Sequence, residues 1–130
     1  MRLYLVRHAE AERGDPDELR PLTPAGRQQA RELGARLAAE GVEADAVLSS
    51  PLLRARETAD QLARALGASS EPDERLAPGA TTDGVLAAVT GRGETVVVVG
   101  HQPDCGRIAA ALGGGPEPSF PAGGVVTLDL

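Results

Sequence analysis

The chain has 130 residues, of which 42% are hydrophobic and 25% are charged, a composition typical of one globular domain rather than of a disordered or fibrous protein. Its formal net charge of -6 argues against nucleic acid or an anionic membrane as the main partner, and because all 13 basic residues are arginine, mechanisms that need a catalytic lysine are excluded. The single cysteine, the lack of an apolar run long enough to cross a bilayer and the lack of an N-terminal signal pattern favour the cytoplasm.

Strands and helices are predicted to alternate along the chain, because short apolar runs are separated by segments with apolar residues at helical spacing. A capping residue followed by proline marks two helix starts, at Thr23-Pro24 and Ser50-Pro51, and glycines mark the ends of both helices. Residues 69–82 are rich in proline, glycine and acids, which predicts a long loop. The predicted strands are residues 2–6, 46–48, 95–99 and 125–130, and the predicted helices are residues 23–41, 50–67, 83–90 and 103–112.

The run TVVVV at residues 95–99 is the pattern of a central strand that is covered on both faces. Together with the alternation of strands and helices, it predicts an α/β fold, a three-layer αβα sandwich around a mostly parallel sheet. Neither an internal repeat nor an interdomain linker interrupts the sequence. Residues 1–130 are therefore predicted to form a single domain.

Polar side chains follow two of the predicted strands. Arg7 and His8 come just after the first strand, and His101 comes just after the central strand, at the strand ends where ligands collect in open α/β sheets. Arg54 falls in the first turn of the second helix, where free N–H groups already favour an anion. These four residues are the candidates for one shared anion site.

Two arginines and two histidines meet the chemical needs of phosphoryl transfer. A phosphoryl group in transfer spreads negative charge over three oxygens, which guanidinium groups can stabilise. A neutral imidazole can attack phosphorus and, because its pKa is about 6.5, can leave again when water arrives. The pattern therefore favours a phosphatase with a phosphohistidine intermediate.

Other interpretations of the same residues remain open at this point. A histidine at a strand end is often a hydrogen-bonded structural residue, and Arg7 and Arg54 could form surface salt bridges. The two histidines could also bind a metal with an acid such as Glu10 as third ligand, but no His-x-x-x-His motif or cysteine pair supports such a site. We therefore expect neither a metal nor a cofactor.

Four ordered motifs span most of the chain: Leu5–Glu10 (LVRHAE), Arg20–Thr23 (RPLT) followed by Gly26, Ser49–Thr58 (SSPLLRARET) and Val98–Pro103 (VVGHQP). They resemble the signatures of the histidine phosphatase superfamily, the phosphoglycerate mutase-like proteins. The short length, the Arg-Pro-Leu-Thr sequence and the reduced loop after the second helix are most similar to SixA-type phosphohistidine phosphatases. The resemblance implies a phosphoglycerate mutase-like fold and a phosphoric hydrolase. Because the arginines already neutralise the phosphoryl oxygens and no ligand set for a cation is evident, we expect the activity to need no metal.

The resemblance also implies roles for individual residues. His8 would be the nucleophile, and Arg7 and Arg54 would bind the phosphate. His101 would be the second histidine, which forms a hydrogen bond to the transferred phosphoryl group. Arg20 would be a further contact to the phosphate or the substrate.

Many members of the superfamily carry an acidic residue after the second helix that protonates an oxygen leaving group. Glu71, Asp73, Glu74 and Asp83 lie in that region, but none belongs to a motif that matches the family. Glu74 and Asp83 are the candidates for a general acid. Because imidazole leaves far more readily than an alkoxide, a site without a dedicated acid suits a phosphorus–nitrogen substrate.

The sequence thus predicts a phosphatase for phosphohistidine, with a histidine-phosphorylated signalling protein as the expected partner. Two alternatives stay open. The chain could be a small-molecule phosphomonoesterase of the same superfamily that uses one of the loop acids, or a phosphate-binding regulatory domain that has lost turnover.

Overall fold

Five strands and four α-helices alternate in the computed structural model, which describes residues 1–130. Two short 3-10 helices, Asp17–Leu19 and Glu74–Leu76, lie in the connections. None of the helices has both the length and the apolar character needed to span a membrane. The strands are β1 (Arg2–Arg7), β2 (Ala46–Ser49), β3 (Ser70–Pro72), β4 (Thr95–Gly100) and β5 (Val125–Asp129), and the helices are α1 (Pro24–Ala39), α2 (Leu53–Leu66), α3 (Thr82–Val89) and α4 (Asp104–Gly113).

All five strands form one sheet in the order β3-β2-β4-β1-β5. The first four strands of this order run parallel, and β5 lies antiparallel along β1. Arg7 pairs with Gly100, and Ser49 pairs with Val99, so β1, β4 and β2 end at the same edge of the sheet. The predicted mostly parallel sheet is confirmed.

Side chains at alternating strand positions fill two apolar cores, one on each face of the sheet. In β4, Val96 and Val98 pack in the core formed with α3 and α4, whereas Val97 and Val99 pack in the core formed with α1 and α2. Each of these valines is at most 1% exposed. The predicted three-layer αβα sandwich and the predicted central strand are therefore both confirmed.

The two predicted helix starts have different outcomes. The side chain of Thr23 caps α1 by accepting a hydrogen bond from the N–H of Gly26 at 2.9 Å, as the sequence predicts. The capping role predicted for Ser50 is wrong, because α2 begins at Leu53 without a side-chain cap. The hydroxyl of Ser50 instead forms a hydrogen bond with His101. Both side chains are buried, so each needs a hydrogen-bond partner inside the protein.

The prediction of a continuous loop over residues 69–82 is wrong in part. Ser70–Pro72 forms the short strand β3, which pairs with β2. This strand lies at the edge of the sheet, where proline is tolerated because one side of the strand needs no partner. No local apolar pattern marks it, since it depends on pairing with a strand that is already buried.

Gly26 lies where the first turn of α1 crosses the loop that follows β1. A Cβ atom at this position would overlap with the backbone carbonyl group of Glu10. That carbonyl oxygen also accepts a hydrogen bond from the N–H of Thr23 at 3.0 Å, so the loop cannot withdraw without breaking this contact. The close approach therefore requires glycine.

We expect Gly26→Ala to lower the free energy of unfolding by about 2 kcal/mol, because overpacking outweighs the better helix propensity of alanine. Urea unfolding followed by circular dichroism measures the change. Arg31→Ala, on the exposed face of the same helix, is the control and should change stability by less than about 0.5 kcal/mol. Equal stability of the two variants would contradict the close contact.

Candidate active site

His8 lies immediately after β1, and its backbone N–H donates a hydrogen bond to the carbonyl oxygen of Gly100 at 3.0 Å. The ring nitrogen Nδ1 lies 2.7 Å from the carbonyl oxygen of Ala9. A carbonyl oxygen can only accept, so Nδ1 carries the proton in this contact. The other ring nitrogen, Nε2, then holds a free lone pair, as a nucleophile requires.

His101 follows β4 and lies beside His8, with the centroids of the two rings 5.2 Å apart. Its Nε2 is 2.7 Å from the hydroxyl oxygen of Ser50, a buried contact that fixes the orientation of the ring. The pairing of β1 with β4 thus brings together the two histidines that the sequence singles out.

Both histidines are neutral at physiological pH. Burial lowers the pKa of His8 to about 4, against a raising effect of its hydrogen bond to Ala9, and the positive charges of Arg54, Arg7 and Arg20 lower it further. Burial likewise lowers the pKa of His101 to about 4, followed by the effects of His8 and Arg54. The neutral imidazole is the form that can attack phosphorus.

Arg7, at the end of β1, is held by the segment that precedes β5. Its Nη1 donates a hydrogen bond to the carbonyl oxygen of Phe120 at 3.0 Å, while its Nε is buried without an acceptor in the protein. The N–H of Gly123 reaches the carbonyl oxygens of both Arg7 and His8 at 3.1 Å. The segment that precedes β5 therefore fixes the backbone of the loop that carries His8.

Arg54 lies in the first turn of α2 and is only 6% exposed. Its Nη1 donates to the backbone carbonyl oxygen of Asp17 at 2.8 Å, and its Nη2 donates to the Oδ2 atom of the same residue at 3.2 Å. Arg20 reaches the Oδ1 atom of Asp17 at 2.9 Å and the carbonyl oxygen of Glu12 at 2.6 Å. One carboxylate therefore joins two of the predicted phosphate-binding arginines.

Thr58 links the loop after β1 to α2. Its buried hydroxyl accepts a hydrogen bond from the N–H of Ala9 at 3.1 Å and donates one to the carbonyl oxygen of Arg54 at 2.8 Å. This pair of bonds ties the backbone next to His8 to the backbone of Arg54.

The structure brings together Arg7, His8, Arg54 and His101, with Arg20 close enough for its charge to act on His8. Sequence analysis gave no catalytic or binding role to Asp17, Ser50 or Thr58. The last two belong to the motif Ser49–Thr58 and could have been found there, whereas no local pattern distinguishes Asp17 from the other acids of its loop.

The two candidate general acids do not join this cluster. Glu74, in the second 3-10 helix, and Asp83, in the first turn of α3, are exposed and form no hydrogen bond or ion pair with its members. Of the other acids in the region, Asp73 pairs with Arg75, and Glu71 pairs with Arg92. No group of three or more His, Cys, Asp or Glu side chains is arranged to hold a metal ion.

The histidines are not at the bottom of an enclosed cavity. The largest cavity, about 550 Å³, lies at the opposite edge of the sheet, where Asp45 precedes β2 and Gly67 follows α2. The three smaller cavities are not lined by His8 or His101 either. His8 is partly exposed at this edge of the sheet, whereas His101 is only 5% exposed.

Comparisons with known proteins agree with this geometry. The sequence pattern that defines the histidine phosphatase superfamily (branch 1) matches residues 3–78. An uncharacterized protein from Picosynechococcus sp. is 40% identical over 121 residues, which cover 86% of this chain and 73% of that protein. The phosphohistidine phosphatase SixA of Escherichia coli (strain K12) is 33% identical over 125 residues, 91% of this chain and 78% of that protein.

A solved structure of the protein histidine phosphatase SixA complexed with tungstate superimposes with a TM-score of 0.91 and 31% identity. The superposition covers 100% of this chain and 88% of that one. The predicted phosphoglycerate mutase-like fold is thus confirmed along the whole chain, including the segments around His101 and Phe120 that lie beyond the family match.

Because the chain contains only two histidines, their titration can be followed directly by NMR of the imidazole resonances. As the pH falls from about 8, we expect both rings to stay neutral until protonation near pH 4, since burial lowers both pKa values to about 4. His8→Asn assigns the two titrations. A midpoint at the ordinary value of about 6.5 for either ring would contradict the desolvated site.

Proposed function

Because the chain belongs to the histidine phosphatase superfamily and is therefore a phosphatase, we propose that its substrate is a protein phosphohistidine and that His8 carries the phosphoryl group between two transfer steps. One observation carries the proposal. A neutral His8 lies within the field of three guanidinium groups, while the carboxylate that joins Arg54 and Arg20 is held in its ionised form. The site therefore has a nucleophile and positive charge but no obvious proton donor.

In the first step, the lone pair on Nε2 of His8 attacks phosphorus while the bond from phosphorus to the substrate imidazole breaks. The substrate ring, protonated on its other nitrogen, keeps the bonding electrons and leaves as neutral imidazole. In the second step, water attacks phosphorus and the bond to Nε2 breaks. The lone pair returns to His8, one proton of the water goes to solvent, and phosphate leaves.

The arginines stabilise the charge that builds up on the phosphoryl oxygens in both steps. Arg7 contributes a positive charge that already acts on His8, and Arg54 contributes a guanidinium whose position is fixed in the first turn of α2. Ser50 fixes the ring orientation of His101. In the proposed mechanism, an N–H of that ring donates a hydrogen bond to the transferred phosphoryl group. Arg20 supplies a third positive charge at the rim.

The state of the acids supports a phosphorus–nitrogen substrate. Hydrogen bonds from Arg20 and then Arg54 lower the pKa of Asp17, so this carboxylate is ionised and cannot protonate a leaving group near neutral pH. Glu74 and Asp83 are exposed and form no hydrogen bond or ion pair with the cluster. An imidazole leaving group, with a pKa of about 6.5, needs this assistance far less than an alkoxide does.

The lack of an enclosing cavity around the two histidines favours a protein substrate over a small molecule. A phosphohistidine on a folded signalling protein is part of a broad surface and cannot enter a deep cavity, whereas sites for small molecules usually enclose most of their ligand. His8 and His101 line no enclosed cavity in this chain.

The nucleophile is tested by His8→Ala and His8→Asn. We expect both variants to lose the acid-labile phosphoenzyme that the wild type forms with a labelled substrate, and turnover to fall at least about 1,000-fold, because the covalent route is removed. His8→Asn should still bind phosphate, since the arginines remain. Arg31→Ala is the control and should behave like the wild type, whereas substantial turnover by His8→Ala would exclude His8 as the nucleophile.

The leaving group is tested by kcat/KM for a histidine-phosphorylated peptide, a nitrophenyl phosphate and a sugar phosphate. We expect the phosphohistidine peptide to be the best substrate and the sugar phosphate to be slower by about 100-fold or more, the usual contribution of a general acid. Glu74→Gln and Asp83→Asn should leave all three rates nearly unchanged. A preference for the sugar phosphate that depends on either acid would favour a phosphomonoesterase, and no turnover of any substrate would favour a binding domain.

A further inference from the structure

Asp17 is a carboxylate placed among the arginines that the proposed function assigns to the phosphoryl group. Its Oδ1 atom accepts a hydrogen bond from Arg20 at 2.9 Å, and its Oδ2 atom accepts one from Arg54 at 3.2 Å. It lies in the 3-10 helix Asp17–Leu19, and its side chain is 61% exposed. A phosphoryl oxygen would seek the same guanidinium groups.

The side chain of Asp17 is not needed to hold Arg54 in place. Arg54 is 6% exposed, is anchored in the first turn of α2 and also donates to the backbone carbonyl oxygen of Asp17 at 2.8 Å. That backbone contact would survive replacement of the carboxylate. What the carboxylate adds at this position is mainly its negative charge.

The charge is significant because the site is otherwise strongly positive. Arg7, Arg20 and Arg54 each carry one positive charge, and the two histidines are neutral. With Asp17 ionised, these groups carry a net charge of about +2, which balances a dianionic phosphoryl group. The negative charge of Asp104, which also acts on His101, is paired with Arg107 and is not included in this net charge. Without the carboxylate of Asp17, the cluster would hold a dianion, including the phosphate product, more tightly than turnover requires.

We propose that Asp17 is an internal counter-ion that shares Arg54 and Arg20 with the substrate phosphoryl group, weakens oxyanion binding and so favours the release of phosphate. The proposal rests on the proposed function, since it assigns both arginines to the phosphoryl group. Asp17 acts through the arginines and does not itself contact phosphorus.

The charge of Asp17 is present and is felt across the site. Hydrogen bonds from Arg20 and Arg54 keep its pKa below the ordinary value, so the carboxylate is ionised throughout the neutral range. Its charge, after that of Asp104, acts to raise the pKa of His101, although burial, His8 and Arg54 outweigh both effects. The same field must act on an oxyanion bound beside that histidine.

The test compares Asp17→Asn with Glu18→Gln. Glu18 lies in the same 3-10 helix and is exposed, but it forms no ion pair or hydrogen bond, so both variants remove one negative charge from the same short segment. Inorganic phosphate and tungstate are titrated into each chain by calorimetry near neutral pH, and the kinetics measure KM and kcat separately.

We expect Asp17→Asn to bind both oxyanions about tenfold more tightly, to lower KM and to show stronger inhibition by phosphate without a gain in kcat. The gain in affinity should shrink as salt is added, because the carboxylate is partly exposed. Glu18→Gln should stay within about twofold of the wild type, since it contacts no arginine.

A structural role for Asp17 predicts the opposite result, a higher Kd and a higher KM together with a lower Tm. Unchanged or weaker oxyanion binding by Asp17→Asn would therefore overturn the counter-ion role while leaving the proposed function intact. A wild-type chain that bound neither oxyanion would overturn both. If phosphohistidine proved a poor substrate but Asp17→Asn still gained oxyanion affinity, the substrate assignment alone would fail.

Discussion

The parallel pairing of β1 with β4 is the constraint on which the site depends. It places the end of one strand beside the end of the other, with Arg7 opposite Gly100, so the residues that follow both strands are neighbours in space. A further hydrogen bond from the N–H of His8 to Gly100 extends the pairing beyond the strands. The centroids of the two imidazole rings consequently lie 5.2 Å apart, although His8 and His101 are distant in sequence.

Burial at this edge has opposite effects on the two kinds of basic side chain. It keeps His8 and His101 neutral by lowering their pKa values from the ordinary value of about 6.5 to about 4, whereas arginine keeps its charge because guanidinium is the strongest base among the side chains. Arg54 keeps its charge although it is only 6% exposed. A lysine in that position would lose its charge far more easily, so this lysine-free chain is well suited to a site that combines neutral nucleophiles with fixed positive groups.

Sequence patterns predicted the layers of the fold and the convergence of His8 and His101, because a buried parallel strand has a strong apolar signature and the residue after it must lie at the sheet edge. Contacts between segments that are distant in sequence could not be predicted from local patterns. Ser50 has the local signature of a helix cap whether or not it meets a histidine, and Ser70–Pro72 becomes a strand only by pairing with β2. Asp17 lies in a loop with several acids, and only the tertiary structure distinguishes it by placing Arg54 against it.

The arginine cluster also constrains the chemistry of the leaving group. Guanidinium groups that bind a phosphoryl dianion lower the pKa of any carboxylate that touches them, as they do for Asp17. A carboxylate inside the cluster is therefore a poor proton donor near neutral pH. One outside it, such as Glu74 or Asp83, forms no hydrogen bond or ion pair with the residues around His8. Because the positive field that stabilises the phosphoryl oxygens also disables the nearest acid, the site favours leaving groups with low proton affinity, and imidazole has a far lower proton affinity than an alkoxide.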